Sequence, residues 1–216
     1  MPIFTKNEHR IFFAHVPKTA GLSIYALFME NGFSVSQLEL GQDLAAQKLK
    51  ERYGSKIMNN TNWLRSSQTL QHTPYRTWKK WGPFDQSFAI IRDPTERFLS
   101  TVKYKYMFTN SAMGIAEFTD RCAAAAMKKA WRKPSMWDGH LLPQHAFLGP
   151  DTKAYWFGHD FIKQICVDFD LRDPGMQPAN VSKGVQPSLS TKVRHWVERK
   201  YAKDYDLIAA LDYARV

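Results

Sequence analysis

Apolar positions along the chain switch between two periods. Arg10–Val16, "RIFFAHV", is a short, nearly continuous apolar run with charge before it and Pro17 after it, and predicts a buried strand. Leu22–Asn31 follows with Ile24, Leu27 and Phe28 on one helical face and Gly32 as its stop. The polar stretch Gln37–Gln68 predicts a helix around Leu44–Tyr53 and a strand near Lys56–Met58. A second apolar run, Ser87–Ile91 ("SFAII"), ends in Arg92-Asp93-Pro94. Phe98, Val102 and Tyr106 then recur every fourth position, so a helix starts at once. Helical patterns continue at Ile115–Trp131, Ser190–Tyr201 and Asp204–Leu211, while Asp170–Ser188, with its Pro and Gly residues, reads as a long loop. With no repeat and no composition break in 216 residues, the expectation is a single domain over 1–216.

The order strand, basic corner, helix thus occurs twice. Two such units predict an α/β domain with a central parallel sheet flanked by helices, its ligand lying beyond the carboxyl ends of the strands. The first corner is "HVPKTAGLS", His15–Ser23. A helix N-terminus presents free N–H groups and a positive dipole end, so anions bind there. Gly21 lets a backbone come close, Lys18 adds a charge, and Thr19 and Ser23 add hydroxyls. The nucleotide-hydrolase pattern GxxxxGK[ST] is missing, which disfavours a kinase or ATPase of that class. At the second corner Arg92 stands at a strand end, Asp93 and Pro94 suit a helix start, and Ser100 lies about two turns along. On the residues alone Arg92 is equally a partner for Asp93 or Glu96. Together the corners offer two anion sites, as a bis-phosphorylated nucleotide needs.

Charge and cysteine content narrow the picture. Thirty Lys and Arg against 20 Asp and Glu give a net charge of +10, which suits a polyanionic partner or a phosphorylated cofactor. The basic residues are spread in small clusters (Lys79-Lys80, Lys128-Lys129, Arg132-Lys133, Arg199-Lys200), each also explained as a solvated face. A nucleic-acid binder, the competing class, predicts a contiguous basic stripe, and no recognisable nucleic-acid module is present. Two cysteines, Cys122 and Cys166, with no CxxC and no zinc-like spacing, predict neither a disulfide framework nor a metal site. No signal peptide or membrane span is recognisable, so the expectation is a cytoplasmic protein, in which the sequons at Asn59 and Asn180 carry no meaning.

"HVPKTAGLS" resembles the 5′-phosphosulfate loop of sulfotransferases that use 3′-phosphoadenosine-5′-phosphosulfate (PAPS), and "IIRDPTERFLS" resembles their 3′-phosphate motif. The likeness is closest to the carbohydrate branch that includes heparan sulfate 2-O-sulfotransferase; "HLLPQHAFL" (His140–Leu148) and "DYDL" (Asp204–Leu207) are also similar to that branch. The resemblance implies a P-loop-like three-layer fold. It implies that Lys18, Thr19, Ala20, Gly21 and Ser23 surround the 5′-phosphosulfate, and that Arg92 and Ser100 grip the 3′-phosphate. "NVSKG", Asn180–Gly184, is similar to a cofactor-covering loop, which implies cofactor contacts for Ser182, Lys183 and Gly184. Leu22 stands where many relatives carry a hydroxyl residue, and Val185 where they carry an arginine.

Sulfuryl transfer needs a base at the acceptor hydroxyl and a cation beside the leaving phosphate oxygen, but no metal. Lys18 suits the second role. His72, in "LQHTPYRTW", stands where the 2-O branch has a catalytic histidine pair, and Leu70 occupies the other position. His140 is the rival, or shapes the acceptor pocket with Gln144; Glu30, Glu96 and Glu117 are weaker candidates. His15 reads as a packed strand-end residue. Trp63, Trp78, Trp81, Trp131 and Trp137 are candidate acceptor-side aromatics. The expected function is sulfuryl transfer from PAPS to a hydroxyl, on a carbohydrate or another acceptor. The alternative is a protein that binds PAPS or its product 3′-phosphoadenosine-5′-phosphate (PAP) without turnover.

Overall fold

The computed structural model describes residues 2–38, 44–58, 70–109, 112–130, 132–133, 136–158, 160–175 and 187–213. Ser182, Lys183, Gly184, Trp63, Trp131 and both sequon asparagines lie outside them. In chain order the main elements are β1 (Ile3–Lys6), β2 (His9–Phe13), α1 (Gly21–Glu30), β3 (Ser34–Ser36), α2 (Leu44–Tyr53), β4 (Ile57–Met58), α3 (Tyr75–Trp78), β5 (Gln86–Ile91) and α4 (Pro94–Met107). They continue with α5 (Ile115–Phe118), α6 (Ala124–Ala130), β6 (Thr152–Trp156), α7 (Phe161–Asp168), α8 (Thr191–Lys200) and α9 (Ala202–Tyr213).

The six strands form one sheet in the order β4-β3-β1-β2-β5-β6. Its working half is parallel: β2 pairs with β5, and β5 with β6. Successive side chains on a strand face opposite ways, and here each side has its own core. Ile11, Phe13, Phe88 and Ile90 join α1 and α7 on one face, whereas Phe12, Ala14 and Ala89 meet Trp78, Leu142 and Phe147 on the other. A third cluster packs α4 (Phe98, Val102) against Phe118, Met127, Val193 and Val197. The α/β fold with a central sheet and flanking helices is as the sequence predicts.

One strand departs from the parallel expectation. β1 runs antiparallel to both β2 and β3, joined to β2 through Asn7 and Glu8, both left-handed (φ 48° and 67°). A two-residue hairpin of this shape favours Asn-Gly; Asn-Glu gives a weak signal, and the strand was not predicted. Its Phe4 is nonetheless fully buried, stacked on Phe28 at 4.1 Å between ring centroids. The predicted helix Ile115–Trp131 is helical throughout 115–130, with a widened turn over Thr119–Ala123 joining α5 to α6. Among the described residues no helix is long and apolar enough to cross a membrane.

Candidate active site

Both basic corners leave the carboxyl-end edge of neighbouring parallel strands. Phe13 of β2 is in register with Phe88 of β5, and the Ala14 amide continues the ladder by donating to the Phe88 carbonyl at 2.8 Å. The chain then leaves the sheet for α1. Lys18 (φ 69°) and Ala20 (φ 66°) are left-handed, which curls the loop tightly before the helix. Thr19 is fully buried and its hydroxyl donates to the Val16 carbonyl at 2.7 Å, so this side chain locks the turn from within. Ala20, the residue at the helix start, has no capping side chain. The Ser23 amide turns back to the Ala20 carbonyl at 3.0 Å, and the amides of Gly21 and Leu22 are the ones placed to meet an anion at this helix start.

Gly21 has a reason the sequence does not show. A Cβ at this position would lie 2.3 Å from His15 Nε2 and 2.7 Å from Cε1. The His15 ring cannot easily yield, because Nδ1 and the Tyr25 hydroxyl are hydrogen-bonded at 2.6 Å and Phe13 stacks on its face at 5.1 Å. We therefore expect Gly21→Ala to destabilise the fold by about 1–3 kcal/mol through overpacking. Thermal melting checks this, and an unchanged melting temperature would refute the contact. His15 is buried, as expected of a packed strand-end residue.

From His15 a row of rings crosses the site. His15 and His72 lie 4.8 Å apart, and His72 and His140 5.0 Å apart, nearly edge-on. Tyr104 of α4 stacks on His140 at 5.4 Å and carries the Lys18 ammonium over its ring at 4.3 Å. Lys18, His72 and His140, separate in the sequence, are therefore linked through direct neighbours. Tyr104 lies four residues after Ser100, one turn along α4 and on the same side.

His72 Nδ1 donates to Asp138 Oδ2 at 2.6 Å. An ionised carboxylate only accepts, so this bond puts the proton on Nδ1 and leaves the lone pair on Nε2, the tautomer a base requires. Burial lowers the pKa of His72, and the bond to Asp138 works against that shift. His15 and His140 are pushed well below the usual histidine range, by burial first and by the neighbouring His72 next. All three imidazoles are thus favoured in the neutral form. Asp138 is presented by a left-handed turn: Trp137, Asp138 and Gly139 have φ of 50°, 55° and 76°. For the two non-glycine residues this costs roughly 1–2 kcal/mol each, and such outliers cluster at functional sites.

Arg92 stands at the end of β5. Its Nε donates to Glu96 at 3.2 Å and its guanidinium lies 4.8 Å over the Phe157 ring. Gln144 fixes its backbone from both sides, accepting from the Arg92 amide at 2.9 Å and donating to its carbonyl at 2.7 Å. Gln144 is fully buried; it is a brace for the corner and does not line an acceptor pocket. The segment His140–Leu148 is held on every side. Buried Arg97 donates to the carbonyls of His140 and Leu142, Tyr201 donates to that of Leu141, and Asp204 of the "DYDL" segment accepts from the amides of Gln144 and His145.

The three glutamates have other work: Glu30 accepts from Arg52 and Tyr53, Glu96 pairs with Arg92, and Glu117 with Arg121. Trp78 is core, its Nε1 donating to the Phe147 carbonyl, and Trp137 stacks on Phe118. A separate hollow beside Tyr75, Phe84, Gln86 and Thr152 opens at the opposite edge, where β5 and β6 begin. Asp138 and Tyr104 were missed by sequence reasoning. The only local signals are "WDGH", a turn-forming pair two residues before His140, and the fourfold spacing from Ser100.

No curated protein and no solved structure matches the chain. A family model described as the sulfotransferase family matches residues 1–163, which hold the Lys18 loop, the Arg92 corner, His72, Asp138 and His140. With more than half of its length inside that match, the chain belongs to the sulfotransferase family, whose chemistry is sulfuryl transfer.

Proposed function

We propose that the chain moves the sulfuryl group of PAPS to a hydroxyl of a carbohydrate acceptor, with His72 as base and Lys18 beside the leaving oxygen. The observation that carries this reading is the convergence on one ring system of the lysine of an uncapped helix start and a histidine oriented by a carboxylate. The residues fit the donor. The Lys18–Leu22 backbone and the Lys18 ammonium suit its 5′ end, while Arg92, half-buried on the next strand, and Ser100 suit the 3′-phosphate. When bound, PAPS supplies a sulfuryl group already joined to a phosphate leaving group, so positioning and charge stabilisation do most of the work.

The protein's part follows from its own geometry. His72 Nε2 takes the acceptor proton while Asp138 holds Nδ1–H and steadies the imidazolium that forms. Lys18 stabilises negative charge at the leaving oxygen, and its rest position over Tyr104 keeps the ammonium inside the site. Buried rings on both sides of His72 limit water at the base. The carbohydrate class is supported by the likeness of His140–Leu148 and Asp204–Leu207 to that branch.

Calorimetry with PAP tests the anion sites. A charged hydrogen bond contributes about 1.5–3 kcal/mol, so Lys18→Ala and Arg92→Ala should each weaken PAP by roughly 10- to 150-fold. Equal affinity in wild type and both variants would remove the assignment.

A further inference from the structure

The sequence lacks metal-ligand spacing, yet the fold assembles a donor set from distant positions. His72, Asp138 and His140 each offer one ligand atom, and the three atoms lie within 4.8 Å of one another. Both histidines are buried and Asp138 is partly so. Two imidazoles and a carboxylate suit a first-row divalent ion, zinc in particular. A second observation points the same way. His140 Nδ1 is buried with no hydrogen-bond partner among the described residues, on a ring that stands edge-on to His72. A polar nitrogen left in this state gains from any ligand that can use its lone pair.

We infer that this cluster is a reversible zinc site and that occupancy switches transfer off. Zinc bonds to nitrogen and oxygen are about 2.0–2.2 Å long. The widest pair of donors must therefore close to about 3.5 Å, a change within reach of rotation about the His140 and Asp138 side-chain bonds. The left-handed turn already places the carboxylate against His72. Three cations oppose the ion: Lys105, Lys18 and Arg97 are all near enough to act on His140. That repulsion weakens the site relative to a permanent structural zinc.

Inhibition follows from the single lone pair of a neutral imidazole. If the ion binds Nε2 of His72, the base is occupied directly. If it binds Nδ1, the proton that sat there moves to Nε2, and the nitrogen facing the acceptor becomes a donor. Either mode ends base function with no net loss of a proton from the ring. The inhibitory half of this inference rests on the function proposed above; the binding half does not.

The test is calorimetric titration of the full chain with zinc chloride, paralleled by cobalt(II) and its visible absorption as a coordination signature. One equivalent should bind, with a cobalt band indicating low-symmetry nitrogen and oxygen ligands. His140→Ala should weaken binding tenfold or more. Asp138→Asn, which keeps a residue tolerant of the left-handed turn, should do the same. His9→Gln, at the exposed His9–Asp85 pair, should leave binding unchanged. Zinc at saturating concentration should abolish transfer, and a chelator should restore it. Undiminished affinity in both His140→Ala and Asp138→Asn, or no binding at millimolar zinc, would overturn the site. Zinc binding by a chain that transfers no sulfuryl group would keep the site and remove the proposed activity; an active enzyme indifferent to zinc would do the reverse.

Discussion

His72→Ala is expected to lower turnover by about 10²- to 10⁴-fold, the usual contribution of a positioned general base, while PAP binds as before. The two halves of this result separate catalysis from binding because His72 belongs to neither basic corner. It sits just before α3, and it reaches the site through the rings of His15 and His140 and the carboxylate of Asp138. A paired measurement, single-turnover transfer to an active acceptor and calorimetry with PAP, reads both. Turnover retained within a few-fold would move the base to His140, whose ring adjoins the same space. Loss of PAP affinity together with turnover would mean that the substitution had disturbed the Lys18 loop.

The second large effect lies far from the chemistry. Asp204, on α9, has no exposed surface and accepts three hydrogen bonds, from the amides of Gln144 and His145 and from His145 Nδ1, at 2.7, 3.0 and 2.7 Å. Asp204→Ala removes both carboxylate oxygens, leaves the Gln144 amide buried without its acceptor and frees the part-exposed His145. Breaking such a charge-bearing network costs about 3–5 kcal/mol, which for a domain of this size lowers the melting temperature by roughly 6–20 °C. Chemical denaturation gives the free energy directly. The same substitution should weaken PAP binding, because Gln144 is the brace on both sides of the Arg92 backbone. A variant as stable as wild type would show that the network is dispensable. Residues 164–216 lie outside the family match, so this contact ties the matched region to a segment that family resemblance alone does not cover.

The elements that position the site were largely readable because they rest on strong local patterns. "RIFFAHV" and "SFAII" are apolar enough to be buried strands in any context, and Asp93-Pro94 starts a helix by its own chemistry, with Asp93 accepting from the Glu96 amide at 2.8 Å. β1, β3 and β6 were not readable. "IFTK", "SVS" and "TKAYW" are short and mixed, and become strands only because an adjacent strand offers its unpaired edge. The site divides in the same way. Lys18, His72, Arg92 and His140 announce themselves by residue type beside a motif. Asp138 has no such mark: its value depends on meeting a histidine 66 positions away. Gln144 misled for the complementary reason, since an amide near a candidate pocket looks like a ligand-facing group until its burial is known.

The turn at Trp137–Gly139 restricts what position 138 can become. Most side chains resist a positive φ, which glycine, asparagine and aspartate enter most readily. Glycine would relax the backbone and discard the carboxylate; asparagine would keep the shape and the acceptor oxygen without the charge. At this position a single step from acid to amide therefore leaves the architecture standing and silences its electrostatics.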